Sequence, residues 1–166
     1  MISPRVTTLK KRLDRLAAKA DGRPAATEPR ERKVFDAALA NFIKGGDALL
    51  DKATKHLWRY YRATIAAFSD IEIDDYEIPR LARDADIWKH VTLSLPPSFH
   101  LGRQSKYEPG ISYFSFEGGV SWEPEHGLQV VFEHGRRVCK VGPYDGHLTQ
   151  AHAFGDLSLV RVVFKD

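Results

Sequence analysis

The chain has 166 residues, 43% of them hydrophobic, with a formal net charge of +3 and one cysteine. That length fits one domain with room for an appendage, and the lone Cys139 excludes an intramolecular disulfide. No apolar run approaches the length of a membrane-spanning helix, and the N-terminus lacks the apolar core of a signal peptide, so a cytoplasmic location with no membrane partner is expected.

The charge is unevenly spread. Residues 1–33 carry ten Lys/Arg against four acids, a balance of +6, which leaves −3 on the rest. The basic character therefore belongs to an N-terminal arm, and nucleic acid is not the expected partner of the body. Residues 4–21 have the spacing of an amphipathic helix, with Val6, Leu9, Leu13, Leu16 and Ala20 on one face. An isolated helix of that length is marginal in water, so it must dock on the body, on a second copy to give a homo-oligomer, or on a partner. Nucleic-acid binding through this helix is the weaker alternative, because no aromatic residues interleave its cations. Residues 22–30, punctuated by Pro24 and Pro29, read as a linker. The domain division is an arm and linker over 1–30 and a single domain over 31–166.

A helix is predicted over 30–44, interrupted at Gly45–Gly46 and resumed from 47 to about 68. Its apolar face includes Phe35, Phe42, Leu50, Leu57, Tyr60 and Tyr61. Aromatic residues there read as core, although adjacent positions point about 100° apart, so one of Tyr60 and Tyr61 is expected to be partly exposed. His56, beside Lys55, is expected at the surface. Residues 69–77 form an acidic connector. Asp70, Glu72, Asp74, Asp75 and Glu77 lack the glycine and distal glutamate of a calcium loop and read as a solvated acidic loop or an acidic docking surface.

From residue 91 the period becomes two. Strands are predicted over 91–95, 99–101 and 111–116, the last continued past Gly118–Gly119 to Trp122. A hairpin pairs 128–132 with 137–141 across His134–Gly135, and a last interior strand is predicted over 157–164. Helices followed by strands point to α+β: N-terminal helices packed on one face of a mostly antiparallel sheet.

Two polar loops flank the hairpin, one over Glu123–Gly127 and one over Gly142–His147. Because the hairpin returns the chain to the edge it left, Glu123, Glu125, His126, Tyr144, Asp145 and His147 are expected at one edge of the sheet. They are the candidate binding residues. Two histidines among carboxylates have the atoms for acid–base or metal chemistry, and a metal-dependent or acid–base enzyme is the alternative reading. The ligand spacing of known motifs is absent, however, and Pro, Asp and Gly at these positions are also what such turns require. No catalytic residue, resident metal or cofactor is therefore expected. Cys139, between Val138 and Val141, is expected to be buried and inert.

The segments W-E-P-E-H-G-L (Trp122–Leu128), V-V-F-x-x-G (Val130–Gly135) and V-G-P-Y-D-G-H-L-T (Val141–Thr149) resemble a family of bacterial domains of unknown function that look like the immunity proteins of polymorphic toxin systems. Trp58–Arg62, Trp88–Val91 and Tyr113–Gly118 fit the same pattern, and the resemblance covers about residues 34–155. It implies a small cytoplasmic, non-enzymatic protein that binds and neutralises a cognate toxin, and it carries no catalytic residues. Members often begin with a β-rich segment, where this chain has the basic helix and linker. An acidic body would suit a basic partner.

Overall fold

The computed structural model describes residues 29–94, 97–101, 105–109 and 112–165. The expected helix over 4–21, with the self-association and nucleic-acid readings attached to it, lies outside the described residues. Helix α1 (Pro29–Ala67) spans both helical stretches expected over 30–44 and 47–68 and is kinked at Gly46, whose φ of 48° and ψ of −137° leave the helical region. Phe35, Ala38, Phe42, Leu49, Leu50, Ala53, Leu57, Tyr60 and Tyr61 are its buried residues. Their three- and four-residue spacing places one continuous stripe against the sheet on both sides of the kink.

Among the described residues five antiparallel strands follow: β1 (Val91–Leu93), β2 (Ser98–His100), β3 (Tyr113–Val120), β4 (Glu123–Glu133) and β5 (Arg137–Gly142). The order is β1-β3-β4-β5, and β2 pairs with the other end of β3. The architecture is α+β. Alternation sends Phe114, Phe116, Leu128, Val130, Phe132, Val138 and Val141 to the helix-facing core. Tyr113, Val131 and Cys139 pack with Leu148 in a second, smaller cluster. The chain after β5 covers it, ending in α3 (Gln150–Phe154), which Thr149 caps by accepting the His152 N–H.

The hairpin turns at His134 (φ 52°) and Gly135 (φ 65°), the paired left-handed residues of a type I′ turn. A Cβ on Gly135 would lie 2.0 Å from the Ala38 carbonyl oxygen, so helix and hairpin meet backbone to backbone here. Asn41 Nδ2 donates to the His134 carbonyl at 3.2 Å across that contact.

Four sequence expectations need correction. Residues 69–77 are not a loop: Asp70–Asp75 forms helix α2, with a capping box between Ser69 and Glu72, because Ser69 followed by Glu72 satisfies two free amides of a first turn. Tyr60 and Tyr61 are both buried. The chain wraps that end of α1 from two sides: Tyr60 packs on Trp122 and Phe164, while the Tyr61 hydroxyl donates to the Pro79 carbonyl and accepts from the Leu81 amide. Residues 157–164 are not a strand. Asp156 Oδ1 caps a single 3-10 turn over Leu157–Leu159, and only the Val163 carbonyl reaches the β5 edge, accepting from Val141. The Gln150 side-chain amide bridges the two segments, donating to the Val141 and Val163 carbonyls. Glu123–Gly127 is not a free loop but the irregular start of β4. Glu123 pairs with Val120 and Leu128 with Gly118, so extra residues bulge out between them.

Two adjacent glycines test this sheet. A Cβ on Gly118 would lie 1.9 Å from the Thr92 carbonyl oxygen of β1, whereas one on Gly119 would meet nothing within 4 Å. Gly118→Ala is expected to cost about 1–3 kcal/mol by overpacking, and Gly119→Ala to change stability by less than about 1 kcal/mol, both read from urea denaturation midpoints.

Candidate functional site

The expected polar edge exists, but its residues divide into two groups that serve different parts of the fold. The ends of β4 and β5 meet where the Tyr144 amide donates to the His126 carbonyl at 3.3 Å, so the two segments share one edge of the sheet. Tyr144 is exposed there.

The first group is Glu123, Glu125 and His126. Glu123 has only 14% of its side chain exposed, and its carboxylate is heavily committed. It accepts from the Glu125 and His126 backbone amides at 3.2–3.3 Å, and its Oε2 takes the Tyr60 hydroxyl of α1 at 3.2 Å. His126 Nδ1 lies 2.9 Å from its Oε1. Burial first, and the facing Glu123 charge second, push the Tyr60 phenol well above its ordinary range. The hydrogen bond that His126 donates to the Glu123 carboxylate holds the exposed imidazole above its ordinary value. One ligand atom from each of Glu123, Glu125 and His126 lies within 4.8 Å of the others, a grouping that could hold a metal ion.

The second group centres on a residue that the sequence pattern did not single out. Lys140 is 1% exposed, buried on the face of the sheet opposite α1. Its Nζ donates to Gln129 Oε1 at 3.1 Å, to the His147 carbonyl at 2.9 Å and to Asp145 Oδ1. Gln129 Nε2 in turn donates to Ser115 Oγ at 3.0 Å. All three ammonium donors are satisfied, as a buried charge requires. Asp145 also accepts the His147 amide at 2.8 Å, which closes the G-P-Y-D-G-H turn. Burial pushes the Lys140 ammonium below its ordinary range, with Asp145 opposing. For Asp145, burial acts to raise the carboxyl, but the Lys140 ammonium and the His147 amide outweigh it and hold it low. His147 stacks edge-on against His152 at 4.6 Å, and His152 Nδ1 lies 2.7 Å from Glu108 Oε1. The inward lysine was hidden because the register shifts between Val131 and Phe132, opposite Cys139. A strict period of two therefore miscounts which β5 residues share a face.

The remaining candidates are structural in varying degree. Asp70 and Asp74 pair with Arg80 at 3.1 and 2.8 Å, and Glu72 belongs to the α2 capping box. Asp75 and Glu77 are exposed, and their carboxylates have no partner among the described residues. His56 is half-buried rather than superficial, and its Nδ1 lacks a hydrogen-bond partner. Burial, then Lys55 and Arg59, lower it to about 4. The Cys139 thiol is buried and pushed up to about 12 by that burial, so the thiolate needed for reactivity is suppressed.

The chain belongs to the family described as domain of unknown function (DUF6985), which matches residues 19–148 and so includes both polar segments of this edge. No curated protein and no solved structure matches the chain significantly.

Asp145→Ala strands the Lys140 ammonium and is expected to cost about 3 kcal/mol, the lower end for breaking a buried pair because Asp145 is partly solvated. Lys140→Met combined with Asp145→Ala should recover much of that loss in denaturant titrations. Because the folded Asp145 carboxyl is held low, its contribution is present above the unfolded value of about 3.9 and disappears as pH falls through the folded one. Asp145→Ala should therefore flatten the acid limb of the stability–pH profile.

Proposed function

We propose that this chain is a non-enzymatic protein-binding domain that binds and neutralises a cognate bacterial toxin in the cytoplasm, as the immunity-like resemblance implies, and that α2 and its flanks meet a basic partner. The observation that carries this reading is the exposure of two large apolar side chains there, Ile71 at 73% and Tyr76 at 67%. Scattered exposed apolar residues are ordinary. These two lie on one short helix and its cap, among Asp70, Glu72, Asp74, Asp75 and Glu77, where Arg80 pairs with Asp70 and Asp74. An aromatic and an aliphatic anchor within a charged rim is the composition of a binding hot spot, and the negative field would steer a cationic partner. The surface is also preorganised. Ile73 is buried beneath it, and the Ile78 amide donates back to the Ile73 carbonyl at 2.9 Å. Little ordering free energy is then spent on binding.

The non-enzymatic part of the reading is supported by how the motif carboxylates are used. Glu123 and Asp145 already accept several donors that the fold needs, and no cofactor is required. The expected outcome is a one-to-one complex with the product of an adjacent toxin gene and protection of cells that express it. Ile71→Asp and Tyr76→Ala should each weaken that complex by roughly 30-fold or more, about 2 kcal/mol, and Ile71→Asp, at a residue 73% exposed, should do so without shifting the thermal midpoint. A complex indifferent to both substitutions, or no protection, would sink the reading.

A second reading rests on Glu123, Glu125 and His126, whose grouped ligand atoms suit a divalent cation such as zinc. It predicts stoichiometric zinc in calorimetric titration, lost in His126→Ala at unchanged stability. A His126→Ala variant that binds as wild type would eliminate it.

A further inference from the structure

Three arginines, Arg136, Arg137 and Arg161, come together beside the first half of α1. A groove of about 480 Å³ runs between the first half of α1 and the β4–β5 hairpin, within the range of small-ligand sites. Its lining combines small apolar side chains of α1, Val34, Ala37 and Ala38, with Asn41, Ser112 and His134 and the guanidinium groups of Arg136, Arg137 and Arg161. Glu133 is the one carboxylate among the lining residues, and it is paired with Arg137. Two guanidinium charges are left in excess.

Those two arginines are held in place but little used. Arg136 donates once, from Nη2 to Asn41 Oδ1 at 3.0 Å, and keeps four of its five donors. Its backbone is fixed by the hairpin turn, where its amide donates to the Glu133 carbonyl at 3.0 Å. Arg161 has no ion-pair or hydrogen-bond partner for its side chain among the described residues. Yet the backbone beside it is anchored: Val162 donates to Leu159 and the Val163 carbonyl accepts from Val141, and Phe164 is buried in the core. Orienting an arginine on fixed backbone while leaving its fork unspent is how a protein prepares a bidentate oxyanion contact.

We infer that this groove binds a carboxylate carried on an aliphatic stem, with Arg136 and Arg161 clasping the oxygens and the stem lying on Val34, Ala37 and Ala38. The apolar share of the lining, from Val34, Ala37 and Ala38, decides the class. A phosphate presents oxygens on every side and would leave some of them against alanine and valine, whereas an aliphatic carboxylate matches both layers. The source is either a free small acid or a glutamate side chain on another polypeptide. The site is independent of the toxin-binding reading, since residues 34–41 open α1 and α2 follows its end.

The test is a titration of the full chain with hexanoate, with a short peptide holding one glutamate, and with inorganic phosphate, followed by the arginine Nε–H resonances. Saturable shifts at Arg136 and Arg161 with hexanoate or the peptide are expected, and the tighter of the two names the source. Arg136→Gln with Arg161→Gln should weaken binding at least ten-fold at an unchanged urea midpoint. The charge-matched control Lys44→Gln with Arg62→Gln should bind as wild type. The inference is overturned if neither acid saturates, if the control loses as much as the double variant, or if phosphate binds more tightly than both acids.

Discussion

Phe42 carries the join between the two layers of this protein. Its ring lies 5.8 Å from Phe114, 5.4 Å from Phe116 and 5.2 Å from Phe132, the last edge-on, so one helical residue touches two adjacent strands. Burying a phenylalanine contributes roughly 1.5–3 kcal/mol, and aromatic pairs in such geometries add about 0.5–1.5 kcal/mol each. The contact also fixes register. Phe114 pairs with Phe132 across β3 and β4, and a one-residue slip would carry every aromatic ring of a strand to the wrong face.

That constraint determines what the opposite face must do. Once alternate residues of β3, β4 and β5 are committed to α1, their neighbours Ser115, Gln129 and Lys140 face the other way, and the chain after β5 buries them too. A polar row buried in this manner must satisfy itself, and it does so as one chain of bonds from Ser115 through Gln129 to Lys140, ending on Asp145 and the His147 carbonyl. Asp145 and Glu123 thus do equivalent work on opposite sides. Each is a turn carboxylate that gathers local amides together with a donor from a more distant part of the fold. Glu123 receives the Tyr60 hydroxyl, 63 residues away, and Asp145 receives the buried ammonium. Glu123 and Asp145, one in each polar segment, are therefore fastenings of the fold.

Much of this was legible from local pattern. The break at Gly46, the hairpin at His134–Gly135 and the shared edge of the segments beginning at Glu123 and Gly142 rest on glycine conformation, turn chemistry and strand alternation, each of which acts over a few residues. The α2 helix was legible too, in Ser69 followed by Glu72, although the density of acids there read as a loop. Lys140 was not legible. The irregularity opposite Cys139 changes the count of faces, and nothing in R-V-C-K-V-G announces it. The terminal segment failed for a related reason. Leu157 to Phe164 alternates well enough for a strand, but its first residues form a 3-10 turn capped by Asp156, and beside β5 the Gln150 side chain takes the Val141 carbonyl.

The sequence by itself determined the α+β order, the antiparallel hairpin and the edge at which the polar motifs meet, because periodicity and turn preference are properties of neighbouring residues. Only the tertiary structure decided that Tyr60 and Tyr61 are both buried, that Lys140 turns inward to Asp145, and that Arg161 hangs over a groove rather than along a strand. Each of these depends on a partner brought in from far along the chain or on an edge already occupied, and the free energy of such contacts is decided by the packed whole rather than by any local stretch.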